Sequence, residues 1–231
     1  MKLPLSNRLL TCCSFVHPND RVADVGCDHG YLGIYLLQNG IAASIIESDV
    51  NEMPLRCAHE NAAKFGLSDG ISFFLSDGVK QIPRDFDCMV CAGMGADTMI
   101  SILEAAPWLQ DSRYHLILQC QSKRPELRKY LANHGFSITR ETLAKDGKFL
   151  YPVMDVYYAP STPPAPWEYY VTPQLIADNS PLLLPFLRRV IGGVEDSLLG
   201  LQHSGGSYQE TAEIYDHLKE LERKLTDANS K

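Results

Sequence analysis

The run Val22-Ala23-Asp24-Val25-Gly26-Cys27-Asp28-His29-Gly30-Tyr31-Leu32 limits this chain more than any other stretch. An apolar strand meets an acid, passes through a glycine-spaced loop and enters an amphipathic helix over Tyr31–Gln38. A Rossmann-like sheet admits a nucleotide-type cofactor in this way. Glycine lets the backbone approach a ligand closely. The middle glycine of the usual run is replaced by Asp28, and His29 follows it. A phosphate binder gains nothing from a carboxylate there. S-adenosylmethionine, whose reactive centre is a cationic sulfonium, tolerates one.

Strand and helix signals alternate through the first two thirds of the sequence. Strands are expected at 22–26, 43–47, 71–75, 86–91 and 116–119. Helices are expected at 31–38, 53–65, 97–105 and 125–133, with Gly66 and Gly135 as stop signals. Two last strands, 136–143 and 153–158, would pair as an antiparallel hairpin across 145–149. Repeated strand–helix units imply an α/β fold with a doubly wound, mostly parallel sheet. Five units and a hairpin match a class I methyltransferase rather than a six-strand dinucleotide domain. The proline-rich stretch at 160–166 cannot continue a helix or a sheet. Beyond it Leu187, Val190, Val194, Leu198 and Leu201 form one apolar stripe, and Ile214, Leu218, Leu221 and Leu225 another. A break at 203–207 separates them, so a C-terminal α-helical hairpin is expected. The division is therefore a Rossmann-like domain over 1–159, then a linker and helical hairpin over 160–231.

The 231 residues carry a net charge of −7, which argues mildly against nucleic acid as a partner for the whole surface. Charge distribution argues the other way. The window 123–148 holds seven basic residues (Lys123, Arg124, Arg128, Lys129, Arg140, Lys145, Lys148) against Glu126, Glu141 and Asp146. Seven cysteines at irregular spacing read as free thiols. Cys88 and Cys91 sit three apart in an apparent strand, so they point to opposite faces and make no metal or redox pair. No histidine shows zinc-ligand spacing, and no run is long enough to span a bilayer. A soluble, cytoplasmic protein is expected.

Open α/β sheets bind ligands at strand carboxyl ends. Asp24 and Gly26 stand at the first such end, and Gly30 opens the next helix. Asp49 ends the second strand, placed for both ribose hydroxyls, with Glu47 the alternative two residues earlier. Asp77, beside Gly78, ends the third strand and could accept from an adenine amino group. A single such acid is usually a turn former; three at successive strand ends favour a cofactor. Ala92-Gly93-Met94-Gly95-Ala96 follows the fourth strand, where backbone would lie near the substrate. Asp28 and His29 are the catalytic candidates.

These residues resemble the bacterial tRNA (adenine-22 N1)-methyltransferase family, the TrmK family. Its Asp-x-Gly-Ser-Asp-His-Ala-Tyr-Leu-Pro is similar to Asp24-Val25-Gly26-Cys27-Asp28-His29-Gly30-Tyr31-Leu32-Gly33. Its Ala-Gly-Met-Gly-Gly is similar to Ala92-Gly93-Met94-Gly95-Ala96, its Leu-Ser-Lys-Arg-Leu opening to Leu5-Ser6-Asn7-Arg8-Leu9, and its late Asp-Gly-Lys to Asp146-Gly147-Lys148. Where the family has Gln-Pro-Asn, this chain has Gln119-Cys120-Gln121. The resemblance implies S-adenosylmethionine as cofactor and methyl transfer to adenine N1 in the D-arm of tRNA. It implies a cofactor set of Asp24, Gly26, Asp28, Gly30, Glu47 or Asp49, Asp77, Gly78, Ala92, Gly93 and Met94. Asp28 would act on N1 and N6, oriented by His29. Tyr31, Gly95 and Gln119 would face the base, and Lys123, Arg124, Arg128, Lys129, Arg188 and Arg189 the tRNA backbone. A monomer without metal is expected. The alternative is an S-adenosylmethionine-dependent methyltransferase acting on a small molecule or protein.

Overall fold

Five parallel strands and one antiparallel hairpin build a seven-stranded sheet in the order β3-β2-β1-β4-β5-β7-β6. The computed structural model describes residues 3–228. The strands are β1 (Asp20–Val25), β2 (Ala42–Asp49), β3 (Ile71–Leu75), β4 (Cys88–Met94), β5 (His115–Cys120), β6 (Phe136–Asp146) and β7 (Phe149–Tyr158). The helices α1 (Asn7–Cys13), α2 (Tyr31–Gln38), α3 (Glu52–Lys64), α4 (Ala96–Glu104) and α5 (Arg124–Asn133) accompany them. The doubly wound α/β sheet expected from the alternation is what forms.

The central strands are buried on both faces, so their apolar residues run on without alternating with polar ones. Period-two geometry still sorts them. Ala23, Met89, Cys91, Leu116 and Leu118 join the core beneath α4 and α5, while Val22, Cys88, Val90 and Ile117 join the core beneath α1 and α2. Cys88 and Cys91 thus lie in different cores, as their spacing requires.

Two differences from the expected elements matter for the site. The fourth strand runs on through Met94 instead of stopping at 91, so Ala92 and Met94 pair with β5 on either side of a bulge at Gly93 and are not a free loop. The terminal hairpin is longer than expected: β6 and β7 pair from Phe136↔Tyr158 to Asp146↔Phe149. Only Gly147 (φ +55°) and Lys148 turn it, the tight connection that glycine in the left-handed region permits. No apolar periodicity announces α1. Ser6 caps it, its hydroxyl accepting from Leu9 N at 3.3 Å, and Asp146 Oδ1 and Oδ2 accept from the backbone of Asn7 and Arg8. A carboxylate on exposed helical N–H groups is favourable, and this one fastens α1 to the hairpin.

At the amino ends of the strands, His115 is clasped by two carboxylates. Its Nε2 lies 2.7 Å from Asp20 and its Nδ1 3.2 Å from Asp155, and the His17 ring stacks on it.

The chain divides into two compact units, Met1–Thr162 and Pro163–Lys231. The second holds α6 (Pro173–Asp178), α7 (Leu183–Ser204) and α8 (Gln209–Ala228). Arg188 Nε donates to Glu222 at 2.9 Å and Tyr215 Oη to Glu195 at 3.3 Å, the pairing of antiparallel helices. Leu187, Val194, Ile214 and Leu218 are buried in this unit, and Gly205 (φ +71°) ends α7. No helix among the described residues is long and apolar enough to cross a membrane.

Candidate functional site

A cavity of about 790 Å³ opens over the carboxyl ends of β1, β2, β3 and β4. Residues 26–29 of the 26–30 loop line it. Three residues there have left-handed backbone: Gly26 (φ +76°), Asp28 (φ +54°) and Gly30 (φ +68°). For Asp28, which has a Cβ, that conformation costs on the order of 1 kcal/mol, and it projects the carboxylate out of the loop with the side chain 73% exposed. His29 Nε2 lies 3.7 Å from Asp28 Oδ1, and the His29 ring leans toward Tyr31 with centroids 5.9 Å apart. At Gly26 an added Cβ would lie 2.2 Å from the Met94 methyl. The residue is glycine chiefly because its backbone is left-handed, and a side chain there would also displace the Met94 methyl.

Asp24, Gly26, Asp28, His29, Tyr31, Asp49, Asp77, Gly78, Ala92, Gly93 and Met94 all line the cavity. Other expected members do not. Gly30 packs behind the wall, where an added Cβ would meet Ala58 at 2.9 Å, so its task is to start α2. Gly95 is the residue before α4. Glu47 is fully buried and absent from the lining. Of the two acids at the end of β2, Asp49 is the one on the wall, 9% exposed, and its Oδ2 also accepts from Asp28 N at 3.4 Å.

Gln119 does not face a substrate either. It is buried, and its Oε1 accepts from Arg8 Nη1 at 2.6 Å and from Gly93 N at 3.0 Å. Gln119 therefore ties the amino-terminal helix to the end of β4. Arg8 and Gln121 line the cavity instead. Arg8 escaped the sequence analysis as a site residue, although it stood in the quoted Leu5-Ser6-Asn7-Arg8-Leu9 motif.

The expected RNA-facing basic residues divide. Arg128 is a correction: it is 3% exposed and ion-paired with Glu141, itself 1% exposed. A guanidinium sealed between α5 and β6 cannot meet a phosphate. Lys123 is exposed and paired with Asp97 at 2.7 Å, Arg124 is half-buried, and Lys129 is exposed. Arg188 is paired with Glu222, and Arg189 is exposed.

Charge gives the cavity its chemistry. Asp24, Asp28, Asp49, Asp77 and Asp97 line it, against the single guanidinium of Arg8. Lys80 pairs with Asp77 and Lys123 with Asp97, which leaves Asp49 on the wall and Asp28 at the mouth as carboxylates with no side-chain cation against them among the described residues, above the buried Asp24. Such a cavity opposes a pyrophosphate and suits a ligand with a positive centre. Beneath it Asp24 and Glu47 share a water-poor pocket. Burial, helped by Asp49, raises Asp24 to about 7, and burial, then the Asp24 charge, raises Glu47 well above its ordinary value. Glu47 is sealed from water beside Asp24, so the neutral acid is the form this position tolerates. Burial also pushes the Cys27 thiol up, which removes it as a nucleophile.

Residues 5–154 match the methyltransferase-domain family. The tRNA (adenine(22)-N(1))-methyltransferase of Bacillus subtilis (strain 168) is 32% identical over 149 residues, 64% of this chain and 63% of that one. The chain spans about three fifths of the length of the curated relatives it matches. A Streptococcus agalactiae protein of the NADB-Rossmann superfamily superposes with a TM-score of 0.85 at 25% identity, covering 96% of this chain and 99% of that one. A Streptococcus pneumoniae protein assigned to tRNA (m1A22) methylation, solved with S-adenosyl-L-methionine, superposes with a TM-score of 0.83 at 26% identity, covering 94% and 99%.

Proposed function

The chain belongs to the methyltransferase-domain family, and we propose that it transfers a methyl group from S-adenosylmethionine to N1 of an adenine, position 22 in the D-arm, of bacterial tRNA. One observation carries the reading: an exposed carboxylate, Asp28, is held in strained backbone at the mouth of a carboxylate-lined cavity. The cavity's charge suits a sulfonium. Asp49 would take the ribose hydroxyls and Asp77 the adenine amino group, while Gly26 and Gly93 leave room for backbone contact. The Bacillus subtilis relative and the Streptococcus pneumoniae structure support the substrate and the cofactor.

Bound S-adenosylmethionine supplies an electrophilic methyl group and leaves as a neutral thioether. The adenine N1 lone pair is the nucleophile, so the protein's largest task is alignment, which supplies several kcal/mol of the barrier. N1 is occupied in a base pair, so the target must be unpaired or flipped out. Positive charge develops on the purine as the N–C bond forms. Asp28 stabilises it near N1 and N6, or accepts the N6 proton to give the neutral imino form. His29 positions that carboxylate, and Tyr31 offers a ring at the cavity wall.

The test is transfer from labelled S-adenosylmethionine to unmodified tRNA, with the nucleoside identified by mass spectrometry. N1-methyladenosine in the D-arm is expected, with Asp28→Asn lowering kcat by roughly 10²–10⁴ at unchanged fold. An Asp28→Asn protein with near-normal kcat would sink the role of Asp28. Cofactor binding without transfer to tRNA would reassign the substrate to a small molecule or protein.

A further inference from the structure

The β6–β7 turn projects an aromatic, basic tip beside the cavity. Phe149 is 52% exposed and belongs to neither core cluster, so packing does not explain it. Lys148 Nζ lies 5.3 Å from its ring centroid. Tyr151 follows on the same face of β7, 6.1 Å from Phe149. The Arg8 guanidinium lies 6.0 Å from the Tyr151 ring, and Arg8 lines the cavity. A continuous track therefore runs from the cavity through Arg8 and Tyr151 to Phe149 and Lys148. The acid at this tip, Asp146, is engaged by the backbone N–H groups of Asn7 and Arg8. The tip is also rigid: ladder pairing continues to Asp146↔Phe149, and α1 is fastened across it.

We propose that this tip is a stacking platform for an unpaired nucleotide of the RNA substrate, next to the adenine that enters the cavity. The inference rests on the RNA-methylation reading above. An exposed ring beside a cation is what single-stranded nucleic acid recognises: the ring takes a base face, and Lys148 takes a phosphate. In a protein of net charge −7, a local cationic tip also steers the polyanion to this edge of the cavity. A base held on Phe149 would keep the D-arm strand splayed, the state in which N1 is free. Duplex RNA, with its bases already stacked, gains little from the platform.

The experiment uses the full chain and a fluorescently labelled, unmodified tRNA. Binding and initial methylation rates are measured for wild type, Phe149→Ala, Phe149→Tyr and Lys148→Ala. Phe149→Ala is expected to weaken RNA binding roughly 5- to 100-fold and to raise the KM for RNA, with S-adenosylhomocysteine affinity unchanged. Phe149→Tyr restores the wild-type value, which a purely structural role would not predict from an exposed position. Lys148→Ala lowers the slope of log affinity against log salt by about one. RNA affinity within twofold of wild type for Phe149→Ala overturns the platform while leaving methylation standing. RNA binding that depends on Phe149, with no methyl transfer, upholds the platform and overturns the substrate assignment. A wild-type protein that binds no RNA overturns both.

Discussion

Removing the Arg128 side chain would break its buried ion pair with Glu141. The guanidinium is 3% exposed and the Glu141 carboxylate 1%, so solvent screens the pair very little. Arg128→Met takes from the buried Glu141 carboxylate the guanidinium it is paired with. Breaking a buried pair from one side costs about 3–5 kcal/mol. In a chain of this size, each kcal/mol moves the midpoint by about 2–4 °C, so a loss of roughly 6–20 °C is expected. The double variant Arg128→Met/Glu141→Leu removes both desolvated charges and should return to wild-type stability or above it. Thermal and urea unfolding followed by circular dichroism would measure this, beside RNA affinity at low salt below the melting range. The expected pattern is a large loss for the single variant, recovery for the double, and RNA affinity unchanged in both. A single variant that melts within 2 °C of wild type yet binds RNA several-fold more weakly would refute the reasoning and return Arg128 to the surface.

Other expectations follow from the buried charges and the tight loop. Burial raises Asp24 to about 7, so the folded state takes up a proton that the unfolded chain does not hold between about pH 4 and 7. That contribution is present at acid pH and lost as pH rises through 7. Asp24→Asn should therefore be more stable than wild type at pH 8, with the advantage shrinking toward pH 4, and should bind cofactor poorly; an advantage independent of pH would count against it. His115 differs in cause: burial lowers its pKa, but the hydrogen bonds to Asp155 and Asp20 outweigh that and raise it overall. Its stabilisation is complete below about pH 6.5 and lost as pH rises through the raised folded value. Melting curves of wild type and His115→Gln should converge at high pH, and parallel curves would contradict the clasp. Gly26→Ala must accept φ +76° and a Cβ 2.2 Å from the Met94 methyl. The backbone term alone is on the order of 1–2 kcal/mol, and displaced Met94 would enter the cofactor space. Calorimetry should show tenfold or more loss of S-adenosylhomocysteine affinity, and affinity within twofold would disprove the close packing.

Local pattern carried much of this protein. Alternating strands and helices dictated the parallel sheet, because a buried strand and an amphipathic helix each write their period into the apolar residues. The Asp24 to Tyr31 run marked the loop that lines the cavity, since Gly26 and Gly30 admit the left-handed backbone of that turn. The two stripes from Leu187 and Ile214 announced the helical pair, and the spacing of Cys88 and Cys91 placed them on opposite faces of β4. What local pattern could not carry was depth and partnership across the chain. Glu47 and Asp49 share one face of β2, so periodicity leaves them equal; only the height of the cavity floor separates the buried acid from the one on the wall. Gln119 and Gln121 divide in the same way. Arg128 reads as part of a basic helix until α5 packs on β6 and sets Glu141 against it. Arg8 reaches the site because Asp146, 138 positions further on, holds its helix, and because Gln119, 111 positions on, holds its guanidinium. Secondary structure arises from neighbours a few residues apart and leaves a trace in sequence. A site assembled by long-range contacts leaves none, because burial and charge pairing exist only once the chain has closed on itself.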